Sequence, residues 1–274
     1  MTEKTEKHPV FFIPHGGGPC FFMDWNPADE WNTTEAFLKS IPSRLKERPK
    51  AILLISAHWE EDEFTLLGKS DPALLFDYYG FPDHTYRLTY PAQNPQWVID
   101  KVKTLLQSAG TPVETDLNRD YDHGVFIPLK VAFPDADIPV AQLSIKSNLD
   151  PQDHIDLGKT LAPLREQGVL IIGSGMSYHN LRKMMTNSRN PNLEADQDSI
   201  AFDEWLSHAV TQENAHKRNA LLADWKNAPG AKSAHPREEH LIPLMVIAGA
   251  ATSTQGKHVF KDTVMGSRIS AFEF

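Results

Sequence analysis

Apolar and polar residues alternate along this chain of 274 residues in blocks that have the lengths of strands and helices. Continuous apolar runs of about four to eight residues are typical of buried parallel strands, because helices cover both faces of such a sheet. Four runs of this kind lie at residues 10–13, 50–57, 138–145 and 169–172. Two further segments, 258–264 and 267–272, predict closing strands.

Segments with helical spacing lie between these runs. In residues 95–109, for example, Trp97, Val98, Val102 and Leu105 form one apolar stripe. The other predicted helices span residues 29–47, 125–133, 150–167, 199–213, 215–225 and 241–248. Strands that alternate with helices predict an α/β fold with a central, mainly parallel or mixed sheet flanked by helices. No composition shift marks a linker, so we expect residues 1–274 to form a single domain.

Charge and cysteine content narrow the classes of function. The net charge of -9 argues against nucleic acid or an anionic membrane as the main partner, since both require a basic surface. No apolar segment approaches the roughly 18 to 20 residues of a transmembrane helix, and the charged N-terminus does not resemble a signal peptide. The only cysteine, Cys20, excludes an internal disulfide and fits a cytoplasmic location. We expect Cys20 to pack as a small apolar residue rather than to bind a metal.

Four of the twelve histidines stand at the ends of apolar runs. His15, His58 and His179 follow three different predicted strands, and His240 precedes the last apolar helix. In an open α/β sheet, ligands bind beyond the carboxyl ends of the strands, so these imidazoles are expected at one edge of the sheet. Imidazole is a common ligand for zinc, iron and copper. The pattern therefore predicts a mononuclear metal centre.

Other site residues have two interpretations each. His179 follows a glycine-rich turn and fits either a third imidazole ligand or a general base. Glu239 and His240 are adjacent, so one is expected to reach the metal while the other supports it from behind. His123 is either an ordinary turn residue or a substrate-facing hydrogen-bond donor. Three more histidines are expected on helix surfaces, namely His154, His208 and His216.

Several short motifs follow one another along nearly the whole chain. They are His15-Gly16-Gly17-Gly18-Pro19, Ser56-Ala57-His58-Trp59, Tyr79-Gly80-Phe81-Pro82, Asp122-His123-Gly124, Gly173-Ser174-Gly175, His179-Asn180-Leu181 and Glu239-His240-Leu241-Ile242. In this order they resemble the class III extradiol ring-opening dioxygenases, in the branch of 4,5-DOPA dioxygenase. The joint order is far more specific than any one motif.

The resemblance implies one α/β domain that binds one metal ion, Fe(II) or, in some members of this branch, Zn(II). By resemblance, His15 and His58 are metal ligands. His240 is the expected third ligand, with Glu239 as the alternative, because other relatives use a carboxylate there. His179 resembles the catalytic histidine of the family, which is sometimes counted as a further ligand.

The implied reaction opens the ring of a catechol beside its two hydroxyls, with O2 as the second substrate. His123 resembles the pocket histidine that contacts the substrate. An anionic catechol would need a nearby cation, for which Arg182 and Arg237 are the candidates. Many members of this family have His-Gly-Ser-Pro where this chain has three glycines after His15. This difference affects the floor of the pocket, so the resemblance does not identify which catechol is the substrate. Two alternatives remain: a zinc-dependent hydrolase on the same scaffold, and a non-enzymatic binding protein similar to Memo-type proteins.

Overall fold

An eight-stranded mixed sheet forms the centre of the computed structural model, which describes residues 7–189 and 195–274. The strands are β1 (Val10–Pro14), β2 (Ala51–Glu61), β3 (Phe64–Leu67), β4 (Val113–Asp116), β5 (Val140–Lys146), β6 (Val169–Gly175), β7 (Lys257–Val264) and β8 (Ser267–Glu273). Their spatial order is β4-β3-β5-β2-β6-β1-β8-β7. The central strands β5, β2, β6 and β1 are parallel, whereas β8 runs antiparallel to β1 and to β7. The predicted α/β class with a mixed sheet is confirmed.

Helices flank this sheet. They are α1 (Asn32–Ser40), α2 (Gln96–Ser108), α3 (His123–Ala132), α4 (Pro151–Leu161), α5 (Leu181–Asn187), α6 (Gln197–Val210), α7 (Ala215–Ala223), α8 (Ala231–Ala234) and α9 (Ile242–Ala250). Helix α4 begins where its sequence predicts, because Asp150 accepts hydrogen bonds from the amides of Gln152 and Asp153 while Pro151 occupies the first turn. Within the described ranges, no helix has the length and apolar character needed to cross a membrane.

The sequence pattern missed the two short strands at one edge of the sheet. Strand β4 is only partly buried, so its residues lack the apolar run on which the prediction relied. The helices α5 and α8 were also not predicted, and each is shorter than the roughly ten residues that periodicity requires. Residues 190–194 of the polar segment between α5 and α6 lie outside the described residues.

The expectation that His154 lies on a helix surface is wrong, whereas His208 and His216 are exposed as expected. His154 is fully buried on α4, and both of its ring nitrogens have partners. Nδ1 donates to the carbonyl of Asp150 at 2.6 Å, and Nε2 accepts from the amide of Lys146 at 3.0 Å. This histidine joins the start of α4 to the end of β5 and is kept neutral by its surroundings.

Candidate metal centre

The carboxyl ends of β1 and β2 bring two imidazoles together. His15 directly follows β1, and its Nε2 lies 3.0 Å from Nε2 of His58. The sequence pattern predicted that His58 follows the end of its strand. In the structure His58 lies inside β2, three residues before its last residue, Glu61. The pairing of β2 with β6 stops at Ser56, and its pairing with β5 is interrupted between Ile55 and Glu60. His58 therefore lies beyond the pairing with β6 and within the interruption of the pairing with β5, which resumes at Glu60.

His240 completes a group of three imidazoles from the turn before α9. Its ring centroid is 5.1 Å from that of His15 and 4.8 Å from that of His58. The end of β6 holds this turn closely, because the amide of Met176 donates to the carbonyl of His240 at 3.0 Å. A Cβ atom on Gly175 would lie only 2.1 Å from that carbonyl oxygen. Glycine is therefore required at this position for β6 and the turn to approach each other.

Hydrogen bonds fix which nitrogen of His15 carries a proton. Nδ1 of His15 lies 3.1 Å from the hydroxyl of Ser174, which itself donates to the carbonyl of Gly124 at 2.5 Å. That carbonyl is available because the residue four positions later in α3 is Pro128, which has no amide hydrogen. Since the serine proton is used, Nδ1 of His15 must be the donor, and Nε2 keeps its lone pair.

Glu239 fixes the proton position of His240, as Ser174 does for His15. Its Oε1 accepts from Nδ1 of His240 at 2.9 Å and lies 3.4 Å from Nδ1 of His179. Nε2 of His240 is buried and has no hydrogen-bond partner. A buried ring nitrogen without a partner is costly unless a ligand occupies the space in front of it. Glu239 also has a buried oxygen without a hydrogen bond, Oε2, but that atom lies 3.4 Å from Arg237, while Oε1 is bonded to the ring of His240. Of the two adjacent residues, His240 is therefore the better candidate ligand.

The electrostatic surroundings keep this group of imidazoles neutral. Burial lowers the pKa of His15, His58 and His240 well below the usual value, and the neighbouring histidines lower it further. Neutral imidazole is the form that binds metals. Burial alone would raise the pKa of Glu239, but hydrogen bonding to His179 and the charge of Arg237 lower it overall. The carboxylate therefore stays ionised behind the ring of His240.

Two further histidines join the cluster. His179 stacks on His240 with ring centroids 3.3 Å apart, and His123, at the start of α3, lies 3.9 Å from His58 by the same measure. Nδ1 of His123 donates to the carboxylate of Asp77 at 2.7 Å. Sequence reasoning missed Asp77, which lies in a loop outside any strand or helix. The only signal was its position two residues before the Tyr79-Gly80-Phe81-Pro82 motif.

Aromatic side chains line the cluster on the side of His123. The ring of Tyr78 lies 5.8 Å from that of His123 and 5.5 Å from that of Phe81. Phe81 also packs against the glycine loop, where a Cβ atom on Gly18 would lie 2.9 Å from its ring. The third glycine after His15 therefore allows this aromatic residue to approach the loop.

The other candidate residues near the cluster are accounted for by packing or ion pairs. Cys20 is buried against Gly16, and burial raises the pKa of its thiol, so it remains a protonated apolar side chain. Arg237 forms a two-pronged ion pair with Glu60 and lies 3.4 Å from Glu239. Arg182 is exposed. Of the two proposed cations, Arg237 is thus already held by carboxylates.

Comparison with known proteins identifies the family. Residues 9–272 match the family model described as the catalytic LigB subunit of aromatic ring-opening dioxygenase. The chain belongs to this family. The match includes residues from all eight strands and all five clustered histidines. It confirms the resemblance to class III extradiol dioxygenases that the order of the motifs indicated.

Named relatives agree with this membership. The chain is 38% identical to a 4,5-DOPA dioxygenase extradiol of Beta vulgaris, over 92% of this chain and 90% of that protein. It is 36% identical to the dioxygenase tasH of Hapsidospora irregularis, over 96% and 84%. Among solved structures, an uncharacterized protein of Escherichia coli K12 has a TM-score of 0.79 at 26% identity, covering 97% of this chain and 99% of that one. The relatives support an oxygenase built on this fold.

Proposed function

We propose that this chain is a metal-dependent extradiol dioxygenase that opens the ring of a catechol-type substrate with O2. The observation that carries the proposal is the group of three neutral imidazoles, His15, His58 and His240, whose ligand atoms lie within 4.8 Å of one another. The unpartnered Nε2 of His240 fits a bound metal ion, and so do the proton positions of His15 and His240. One ion per chain would occupy the space between these three rings.

Three ligands on one face suit Fe(II), because they leave coordination positions for both hydroxyl oxygens of a catechol and for O2. Bound there, the iron would supply the redox chemistry that joins oxygen to the ring, which Zn(II) in the same ligands does not supply. The relatives named as 4,5-DOPA dioxygenases support a catechol as the substrate. The net charge of -9 supports a small-molecule substrate rather than nucleic acid.

The residues of the chain would handle the protons and position the ring. His179 would accept the proton of a catechol hydroxyl, with its ring oriented by Glu239, whose Oε1 lies 3.4 Å from Nδ1. His123 would contact the substrate from the opposite side, next to the aromatic wall formed by Tyr78 and Phe81. Glu239 is proposed as a support for the metal ligand His240 rather than as a ligand itself.

Oxygen uptake tests the proposal directly. Protein loaded anaerobically with Fe(II) should consume O2 and form a conjugated product with at least one of DOPA, protocatechuate, homoprotocatechuate and catechol. The Zn(II)-loaded protein should not. His179→Ala should lose turnover and keep its metal, while His216→Ala, at an exposed position on α7, should match the wild type. No uptake with any of these catechols, with iron verified in the site, would instead favour a hydrolase or a binding protein.

A further inference from the structure

Asp77, a loop residue that the sequence analysis did not single out, contacts two histidines of the cluster. Its Oδ1 accepts two hydrogen bonds from His123, one from Nδ1 at 2.7 Å and one from the backbone amide at 3.0 Å. Its Oδ2 lies 3.9 Å from Nδ1 of His58. The Asp77 side chain is 21% exposed, so these contacts are partly shielded from solvent. One carboxylate therefore faces two imidazoles of the site.

The start of α3 depends on Asp77 rather than on its own capping residue. Asp122 occupies the N-cap position, but its side chain makes no capping hydrogen bond. Its carboxylate instead accepts from Ser56 at 2.6 Å, from Gln142 at 2.5 Å and from Arg119 at 3.1 Å. The amide of His123 is one of the donors that a helix N-terminus leaves without an internal partner. Asp77 supplies the acceptor from a different loop, and its negative charge is favourable at this end of the helix.

We propose that Asp77 is a positioning residue that holds His123 as the tautomer with the proton on Nδ1 and the lone pair on Nε2. The two bonds to Oδ1 come from the backbone and the ring of the same residue, so they fix both the helix start and the ring orientation. Neutral His123 then meets a substrate as a hydrogen-bond acceptor, and it donates only after taking up a proton. The ionised carboxylate of Asp77 makes its bond to the ring charge-assisted, and such a bond is stronger than one to a neutral amide oxygen.

His179 lacks an equally dedicated partner. Its Nδ1 is 3.4 Å from Glu239, and the same oxygen atom accepts from His240 at 2.9 Å. The bond between His123 and Asp77 is shorter, and both hydrogen bonds to that oxygen come from His123 itself. The two candidate catalytic histidines are thus held differently. The kinetic consequence of this difference rests on the proposed dioxygenase function, whereas the tautomer does not.

Two substitutions separate the charge of Asp77 from its hydrogen bonds. In Asp77→Asn, the amide oxygen must still face the backbone amide of His123, so the ring keeps its proton on Nδ1 but loses the neighbouring negative charge. In Asp77→Ala, both acceptors disappear and the ring becomes free to exchange tautomers. Asp83→Asn is the matched control, because Asp83 is exposed six residues later, at the start of a short 3-10 helix (Asp83–Arg87).

The tautomer is measured by long-range proton–nitrogen NMR of protein with labelled histidine, in the metal-free and Zn(II)-loaded forms. The His123 signals are assigned by their loss in His123→Gln. We expect one tautomer in the wild type, Asp77→Asn and Asp83→Asn, and a mixture in Asp77→Ala. In the Fe(II) enzyme, kcat should fall about 10- to 100-fold in both Asp77 variants, while metal content stays at the control value.

Two results would overturn the proposal. One is a single Nδ1-protonated tautomer in Asp77→Ala. The other is a loss of kcat that merely follows a loss of metal, which would mean that Asp77 acts through His58. Wild-type protein without oxygen uptake, but with a tautomer change in Asp77→Ala, would reject the dioxygenase function and leave the role of Asp77 intact. Uptake by the wild type without any tautomer change in Asp77→Ala would do the reverse.

Discussion

Gly124 contacts the two serines that position the candidate metal ligands His15 and His58. The substitution Gly124→Ala should therefore disturb both ligands. The carbonyl of Gly124 accepts from Ser174, which orients His15. Its Cα faces the hydroxyl of Ser56, and a Cβ atom would lie 2.4 Å from that oxygen and 3.1 Å from the ring of His58. A single methyl group thus enters the site from the start of α3 without changing any ligand.

The expected magnitude follows from these distances. Ordinary contact begins at about 3.4 Å, so the methyl group or the Ser56 hydroxyl must move by about 1 Å. The hydroxyl has no free direction, because it donates to Asp122 at 2.6 Å and accepts from the amide of His58 at 3.2 Å. Overpacking of this kind costs about 1–3 kcal/mol of unfolding free energy. Displacement of a residue that supports a ligand weakens metal affinity by roughly 10- to 100-fold.

Two measurements check this prediction. Denaturant unfolding of the metal-free protein gives the change in stability, and competition with a chelator gives the change in metal affinity. The control is Gly17→Ala, two residues after His15, where the new Cβ atom would meet only Trp31 at an ordinary 3.8 Å. We expect this control to stay within about 0.5 kcal/mol of the wild type. Equal metal affinity in Gly124→Ala and Gly17→Ala would refute the reasoning, because it would mean that Ser56 does not position His58.

Three further predictions concern the support of the site and its response to pH and metal. Glu239→Gln keeps an acceptor for His240 but removes its charge, so metal affinity in a chelator competition should fall about 10- to 100-fold, with Glu238→Gln as the control. Burial lowers the pKa of His154 to about 4, below its unfolded value, so the folded state binds fewer protons. The stability that it contributes, about 3 kcal/mol, is present above about pH 6.5 and is lost as pH falls through about 4. His154→Gln should flatten this acid slope in denaturant titrations, and an unchanged slope would contradict the assignment. Finally, calorimetry in free metal at 100 times its Kd should show about 2.7 kcal/mol of added stability, which a chelator should remove; no shift would contradict a site formed only in the folded chain.

Hydrophobic patterning was sufficient for the central strands and for most helices, because buried parallel strands must be apolar along their whole length. It failed for the edge strand β4, whose residues, Val113–Asp116, are only partly buried. It also failed for His154, since a helix surface and a buried polar contact look alike in a sequence. Both ring nitrogens of His154 bond to backbone groups only four and eight residues away, those of Asp150 and Lys146, and hydrophobic periodicity does not register such contacts.

Part of the candidate metal centre could also be predicted from the sequence. His15, His58 and His240 could be proposed because strand ends and helix starts converge at one edge of an α/β sheet. Sequence reasoning placed His58 at the end of its strand, whereas β2 runs on to Glu61, past the end of its pairing with β6. Asp77 was not found, because a single acidic residue in a loop carries no periodicity and its nearness to the Tyr79-Gly80-Phe81-Pro82 motif does not show that it contacts His123.

The sequence by itself determined the fold class, the family and the set of histidines, since strand hydrophobicity and motif order are local properties of the chain. The tertiary structure alone decided which nitrogen of each ring is free. That choice depends on partners far apart in sequence, such as Ser174 for His15 and Asp77 for His123. It also depends on a missing donor, because Pro128 leaves the carbonyl of Gly124 open to Ser174. Proton positions follow from a complete count of donors and acceptors, and that count exists only once the chain has folded.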